Sequence, residues 1–145
     1  MYGRSVVQVQ VRSKLPGAIG DGLPEVLVDL ATAVTTVADL IRLAVEEQIR
    51  LLRGDAARCR RALDRQYLSV EDICEQAANG VVRMPAGPPA APDVAVEVAR
   101  AHRAFERNVF VVFVGGRQLL GLDEEIVPRL GEPVVFLRLT PLAGG

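Results

Sequence analysis

The chain has 145 residues, and half of them are apolar, which is enough for one compact core but too few for two full domains. A formal net charge of −1 excludes the strong positive field that attracts nucleic acid or an anionic membrane, so we expect protein partners instead. The two cysteines, Cys59 and Cys74, are too few for a disulfide framework or a metal cluster, and we expect no bound metal or cofactor. Without a signal peptide or an apolar stretch of membrane-spanning length, the sequence predicts a cytoplasmic protein.

The first part of the chain predicts two strands and a long helix. Apolar and polar residues alternate over residues 7–11, as in a strand with one buried face. Turn residues fill positions 15–22, and alternation resumes over 26–30, which predicts a hairpin. Thr35 or Thr36 can cap the helix that follows. Its apolar residues recur on one face: Val37, Leu40, Ile41, Ala44, Val45, Ile49 and Leu52.

The middle of the chain, about residues 53–107, predicts an insert of two or three helices. Residues 58–67 form one predicted helix, and a capping-box pattern at residues 69–72 begins another. Residues 84–92 are a Pro/Ala-rich linker. Asp93 then caps a helix with an apolar stripe formed by Val94, Val98, Ala101, His102 and Phe105.

The last part of the chain predicts three strands and a tail. Residues 109–114 are a nearly continuous apolar run, which is typical of a central strand covered on both faces. Gly115-Gly116 then makes a tight turn before a short apolar segment at 118–122. A final strand at 134–139 runs directly into a flexible tail at 140–145.

Two segments carry a family resemblance. Phe110-Val-Val-Phe-Val-Gly-Gly-Arg-Gln-Leu-Leu120 resembles the strand, turn and G-[KR]-Q-L element of ubiquitin-like proteins, and the order of elements is that of the β-grasp fold. The resemblance implies an α+β fold in which a mixed sheet wraps one long helix. Residues 1–145 would then form a single domain, with a core at about 5–52 and 108–139 and the helical insert between the main helix and the third strand.

The tail Pro141-Leu-Ala-Gly-Gly145 is similar to the Pro-x-[AS]-Gly-Gly ending of the molybdopterin synthase small subunit (MoaD) and of related sulfur carriers such as ThiS. The resemblance implies that an activating enzyme uses ATP to adenylate the carboxylate of Gly145. Gly144 would let the backbone enter a narrow channel, and Pro141 would restrain the base of the tail. We expect this enzyme to recognise the tail through Pro141, Leu142, Ala143 and Arg138.

The chain itself would be a protein substrate and not an enzyme, with no catalytic residue of its own. We expect a bacterial-type ubiquitin-like modifier that is conjugated to target proteins, with an activating enzyme, a conjugating enzyme and a metalloprotease as partners. One alternative is a sulfur carrier whose C-terminal thiocarboxylate serves a sulfur-accepting enzyme. A second alternative is a protein-interaction module that is never conjugated. Lys14 is the single lysine, which suits a modifier that is not readily attached to itself.

The remaining candidates divide between docking and structure. Leu120, Val135 and Leu137 form a possible docking patch on the exposed sheet face, although the same residues could be core. His102 is expected to be a packing residue. Residues 123–125, three consecutive carboxylates, are expected to form a solvated turn. Arginines at 58, 60, 61 and 65 are interleaved with Asp55 and Asp64, which argues against a nucleic-acid site.

Overall fold

A computed structural model describes residues 7–15, 23–30, 34–68, 92–129 and 131–139. This part of the chain confirms the predicted α+β class. The predicted helix that begins at residues 69–72, nearly all of the linker at 84–92 and the tail at 140–145 lie outside the described residues. The elements are β1 (Val7–Lys14), β2 (Val26–Leu30), β3 (Thr35–Thr36), α1 (Val37–Leu51), α2 (Ala56–Tyr67), α3 (Val94–Glu106), β4 (Phe110–Val114), β5 (Arg117–Leu119), β6 (Glu125–Ile126) and β7 (Val134–Arg138).

Five of these strands form one mixed sheet in the order β2-β1-β7-β4-β5. The first and last strands, β1 and β7, lie side by side and run parallel, whereas the other neighbours in this sheet are antiparallel. β3 and β6 form a separate two-stranded ladder. Strand residues alternate between two faces, so each strand contributes one set of side chains to the core and another to the opposite face.

The β4–β5 hairpin confirms the predicted tight turn at Gly115-Gly116. Val114 pairs with Arg117, which leaves two residues in the loop. Both glycines have positive φ, 58° and 86°, as a type I′ turn requires and as residues with side chains rarely adopt. The predicted apolar segment at 118–122 is only partly a strand, because β5 ends at Leu119.

Helix α1 begins where its sequence predicts. Thr36 is the N-cap, and its side-chain oxygen accepts a hydrogen bond from the Asp39 backbone N–H at 3.2 Å. The predicted apolar face is buried against the sheet, and Leu52, just past the last turn, is buried with it. The polar residue Gln48 shares that face, where its side-chain amide donates to Ser13 Oγ at 3.0 Å.

The acidic turn has a structural role that its composition did not predict. The backbone carbonyl of Glu124 accepts from Val37 N–H at 3.0 Å, and that of Leu122 accepts from Ala38 N–H at 2.9 Å. The side chain of Glu124 accepts from the Leu120 N–H at 2.8 Å. This turn therefore caps α1 and is not merely a solvated turn, because the first N–H groups of a helix need acceptors outside it.

The described helices of the predicted insert share the core of the sheet and α1. The ring of Phe110 lies 5.3 Å from that of Tyr67 on α2, 5.9 Å from that of Phe105 on α3 and 5.5 Å from that of Phe136 on β7, measured between centroids. Such tilted and edge-to-face contacts are favourable for aromatic rings. Helices α2 and α3 therefore pack on the same face of the sheet as α1.

Helix α3 differs from its predicted stripe in one residue. Asp93 caps it, as expected, by accepting from the Val96 N–H at 3.3 Å. Val94 is exposed, however, and Glu97 takes a buried position on the stripe. The reason is a charged partner on α2, since Arg60 donates to both oxygens of Glu97 at 2.7 and 2.8 Å.

Candidate docking face and base of the tail

The three residues predicted as a docking patch lie on the outer face of the sheet, away from the helices. Along β7, Val134, Phe136 and Arg138 are buried on the core face, and Val135 and Leu137 alternate with them and are half-buried. Leu120 follows β5 and is 79% exposed. The structure therefore places Val135 and Leu137 outside the core and leaves Leu120 fully accessible.

Two further apolar side chains from β4 join this face. Phe113 pairs with Val135, and Val111 pairs with Leu137 across the β4–β7 ladder. Residues directly opposite on neighbouring strands have Cβ atoms about 5 Å apart. Leu120 lies one residue past the last β4–β5 pair, which joins Val112 and Leu119. We call these five residues the sheet patch: Val111, Phe113, Leu120, Val135 and Leu137.

The sequence alone did not identify Val111 and Phe113 as members of the sheet patch. Both lie in a continuous apolar run that predicts a strand covered on both faces, and this holds for Val111, which is only 6% exposed. Phe113 is half-buried. Their positions become apparent once the ladder pairs them with Val135 and Leu137, because cross-strand partners share a face of the sheet.

Cationic side chains border the sheet patch on β1. Arg12 pairs with Val135, and Lys14 pairs with Leu137, and both side chains are exposed. Arg12 also forms an ion pair with Glu25 at 3.2 Å. Lys14 is the single lysine of the chain. An apolar centre with a charged rim is the usual composition of a protein-binding surface.

The tail begins next to the sheet patch. Leu139 donates its backbone N–H to the carbonyl of Val109 at 3.0 Å, which continues the β4–β7 pairing one residue past β7. By alternation Leu139 lies on the same side as Leu137, and it is exposed. The predicted activation and recognition residues Gly144, Gly145, Pro141, Leu142 and Ala143 lie outside the described residues.

Arg138 is the last residue of β7. It lies on the core face opposite Phe110 and is only 2% exposed. Burial lowers the pKa of its guanidinium. The side chain is therefore enclosed in this structure, and recognition of Arg138 by an activating enzyme stays a prediction.

The other titratable candidates have structural environments. His102 Nε2 lies 2.9 Å from the Ala38 carbonyl oxygen, which links α3 to the first turn of α1 and agrees with its predicted packing role. Cys59 is buried, and desolvation raises the pKa of its thiol. Among the described residues, no group of three or more His, Cys, Asp or Glu side chains could hold a metal ion. Nor is any helix in the described ranges long and apolar enough to cross a membrane.

Comparison with known proteins gives no relative for this arrangement. No family model, no curated protein and no solved structure matches the chain.

Proposed function

We propose that this chain is a ubiquitin-like β-grasp protein that is activated at the carboxylate of Gly145 and conjugated to target proteins. A mixed sheet packed against one long helix, α1, is the arrangement that the β-grasp resemblance implies. The sheet order, with β1 and β7 parallel at its centre, supports this assignment.

One observation carries the proposal, namely that the sheet patch and the base of the tail share strand β7. Val135, Leu137 and Leu139 alternate along the chain on the outer face and lead into residues 140–145. Six extended residues reach about 20 Å beyond Leu139. An enzyme bound at the sheet patch would therefore have the carboxylate of Gly145 within reach of its own active site.

The reaction requires no catalytic group from this chain. A carboxylate oxygen of Gly145 attacks the α-phosphate of ATP in the activating enzyme, which forms an acyl-adenylate and releases pyrophosphate. A target amine, directly or after transfer to an enzyme thiol, then attacks the acyl carbon and releases AMP or the thiol. Gly145 must be the last residue of the mature protein for this chemistry, whether by translation or by proteolytic trimming.

The test is a search for the tail on target lysines. Arg138 is the last basic residue, so trypsin leaves Leu139-Thr-Pro-Leu-Ala-Gly-Gly145 attached to a modified lysine. Cells of the source organism would express the chain with an N-terminal tag, and tandem mass spectrometry would locate this remnant. A variant with Gly144→Pro is the control, since the proline ring removes the clearance that Gly144 would give in a narrow channel while the described core is unchanged.

A sulfur carrier is the second candidate, and the similarity of Pro141-Leu-Ala-Gly-Gly145 to the MoaD ending favours it. In that case the terminal sulfur of a persulfide donor attacks the acyl carbon and AMP leaves, and a thiol reductant then cleaves the S–S bond of the resulting acyl disulfide, which frees the terminal thiocarboxylate and becomes oxidised to a disulfide. Intact mass would show the exchange of one oxygen for one sulfur, with no remnant on lysines. If the purified chain shows neither product beside an active enzyme, both candidates fail and an unconjugated interaction module is favoured.

A further inference from the structure

Lys14 is the single lysine of the chain, and the structure places it on the outer face of the sheet. Along β1, Val11 is buried, and Ser13 accepts a hydrogen bond from α1 on the core face. Arg12 and Lys14 alternate with them and are exposed on the other face. The parallel register sets Lys14 beside Leu137. The only lysine of the protein therefore borders the sheet patch.

The whole sheet patch lies a short distance from Lys14. Counted outward from β1, strand β7 is about 5 Å away, β4 about 10 Å and β5 about 14 Å, because neighbouring strands have a fixed spacing. A segment of six extended residues spans about 20 Å. A peptide attached to the Lys14 amine can therefore cross every strand that contributes to the sheet patch.

The Lys14 side chain is accessible for acylation. It is exposed, and it forms no ion pair with any residue in the described ranges. Its neighbour Arg12 is held by Glu25 at 3.2 Å. Lysine is also the side chain that accepts acyl groups as amides, whereas arginine keeps its guanidinium. On this edge of the sheet patch, Lys14 is the residue that an activated carboxylate can modify.

The tail of a second copy has the composition to cover the sheet patch. Four apolar residues precede its diglycine: Leu139, Pro141, Leu142 and Ala143. A tail tethered at Lys14 is held near the sheet patch at an effective concentration in the millimolar range. Its association with the patch removes apolar surface of both segments from water. The tethered tail would therefore compete with an enzyme for the same surface.

We propose that Lys14 is a site of self-conjugation, and that this modification closes the sheet patch and prevents activation of the modified copy. This proposal rests on the proposed function, because the acyl donor is the activated Gly145 of a second copy. The Lys14 amine attacks the acyl carbon of the adenylate or thioester and forms an amide C–N bond. The bond to AMP or to the enzyme sulfur breaks, and the amine loses a proton.

Self-conjugation is limited by its own product in this arrangement. Each copy has one lysine, so it accepts one further copy through a lysine amide. In a linked pair, the only free C-terminal carboxylate belongs to the copy whose sheet patch is covered. The pair is therefore not activated as a unit, and single copies remain the form that is transferred to targets.

The test compares one acyl group at two positions. The N-terminally acetylated full chain reacts at Lys14 with the active ester of an acetylated heptapeptide of sequence 139–145, which reproduces the remnant of a second copy. The matched variant is Lys14→Arg with Arg61→Lys, which moves the single lysine to an exposed position on α2, across the sheet from the patch. Circular dichroism checks folding, and Arg53→Lys replaces Arg61→Lys if that variant unfolds.

Each protein, with and without the heptapeptide, is incubated with ATP and a desalted extract of the source organism, and its conversion to conjugates is followed by immunoblotting. The heptapeptide at Lys14 is expected to slow conversion at least about tenfold, and the heptapeptide at position 61 is expected to leave it within about twofold. In cells, tandem mass spectrometry is expected to find the 139–145 remnant on the tryptic peptide of residues 13–42, since trypsin does not cleave at an acylated lysine.

The outcomes separate this proposal from the proposed function. Equal conversion with and without the heptapeptide at Lys14 would overturn closure of the sheet patch, as would equal slowing at both positions. Absence of the remnant from Lys14, in cells where target lysines carry it, would overturn self-conjugation while the proposed function stands. If the extract does not convert the unmodified chain, and no target lysine carries the remnant, the proposed function fails and self-conjugation fails with it.

Discussion

Two ion pairs of equal length offer a direct test of how the helices of the insert are held. Arg60 Nη1 lies 2.7 Å from Glu97 Oε2, and Arg50 Nη2 lies 2.7 Å from Glu47 Oε1. The Glu97 side chain is 6% exposed, whereas the Glu47 and Arg50 side chains are 31% and 57% exposed. Only the first pair joins two helices and has one partner buried, although Arg60 itself is 35% exposed, so we expect it to contribute more to stability than the second pair.

The substitution Glu97→Ala removes two charge-assisted hydrogen bonds from Arg60. Each such bond contributes about 1.5–3 kcal/mol, and truncating one partner of a buried pair costs about 3–5 kcal/mol. Arg60 keeps Asp64 as a partner, which limits the penalty of the charge left behind. We therefore expect the free energy of unfolding to fall by about 3 kcal/mol and the melting temperature by about 10 °C.

The measurement is urea unfolding of both single variants, followed by far-UV circular dichroism. Glu47→Ala is the matched control, because it also truncates a helical glutamate bonded to an arginine, and its free energy of unfolding should equal that of the original chain within error. The double variant Arg60→Ala with Glu97→Ala should lose less than the sum of the single losses, since both remove one interaction. Equal losses for Glu97→Ala and Glu47→Ala would refute the reasoning that burial decides the strength of these pairs.

Three further outcomes are expected. Burial raises the pKa of Tyr67, so its phenol loses the proton at a lower pH in the unfolded chain than in the folded one, and the free energy of unfolding should decline above about pH 10. Tyr67→Phe should reduce that decline when urea unfolding is measured from pH 8 to 11, and an unchanged pH profile would contradict this expectation. Leu120→Asp should slow ATP-dependent activation without lowering the melting temperature. Val127 is also exposed, and Val127→Asp should change neither the activation rate nor the melting temperature. Lys14→Arg should abolish self-conjugates linked through lysine while sparing target conjugates, as seen by immunoblotting; persistent ladders bearing the lysine remnant would refute this.

Local pattern was enough to predict the elements whose side chains alternate between a core and a free surface. The period of two over 26–30 and the 3.6-residue stripe of α1 each record a single buried face, and the Thr36 and Asp93 caps depend only on residues within one turn. The glycine pair at 115–116 likewise predicted its turn, because few other residues adopt positive φ.

Residues whose environment comes from distant parts of the chain were not predictable in this way. A helical stripe favours an apolar residue over Glu97, and only the position of Arg60, 37 residues earlier, makes its burial possible. Arg138 was predicted only as one of the residues that an activating enzyme recognises, and the β7 alternation places its side chain on the core face of the sheet. Pattern also could not indicate that the 121–126 turn caps α1, since its acceptors are backbone carbonyls.

The sequence by itself determined the α+β class, the order of the elements and the diglycine motif on which the proposed activation depends, because each follows from local periodicity or from residues adjacent in the chain. Only the tertiary structure decided which strands are neighbours. The parallel pairing of β1 with β7 and the antiparallel pairing of β7 with β4 bring Lys14, Leu137 and Val111 together from three distant segments. The tertiary structure also joined Arg60 on α2 to Glu97 on α3, because side chains select partners by proximity in space.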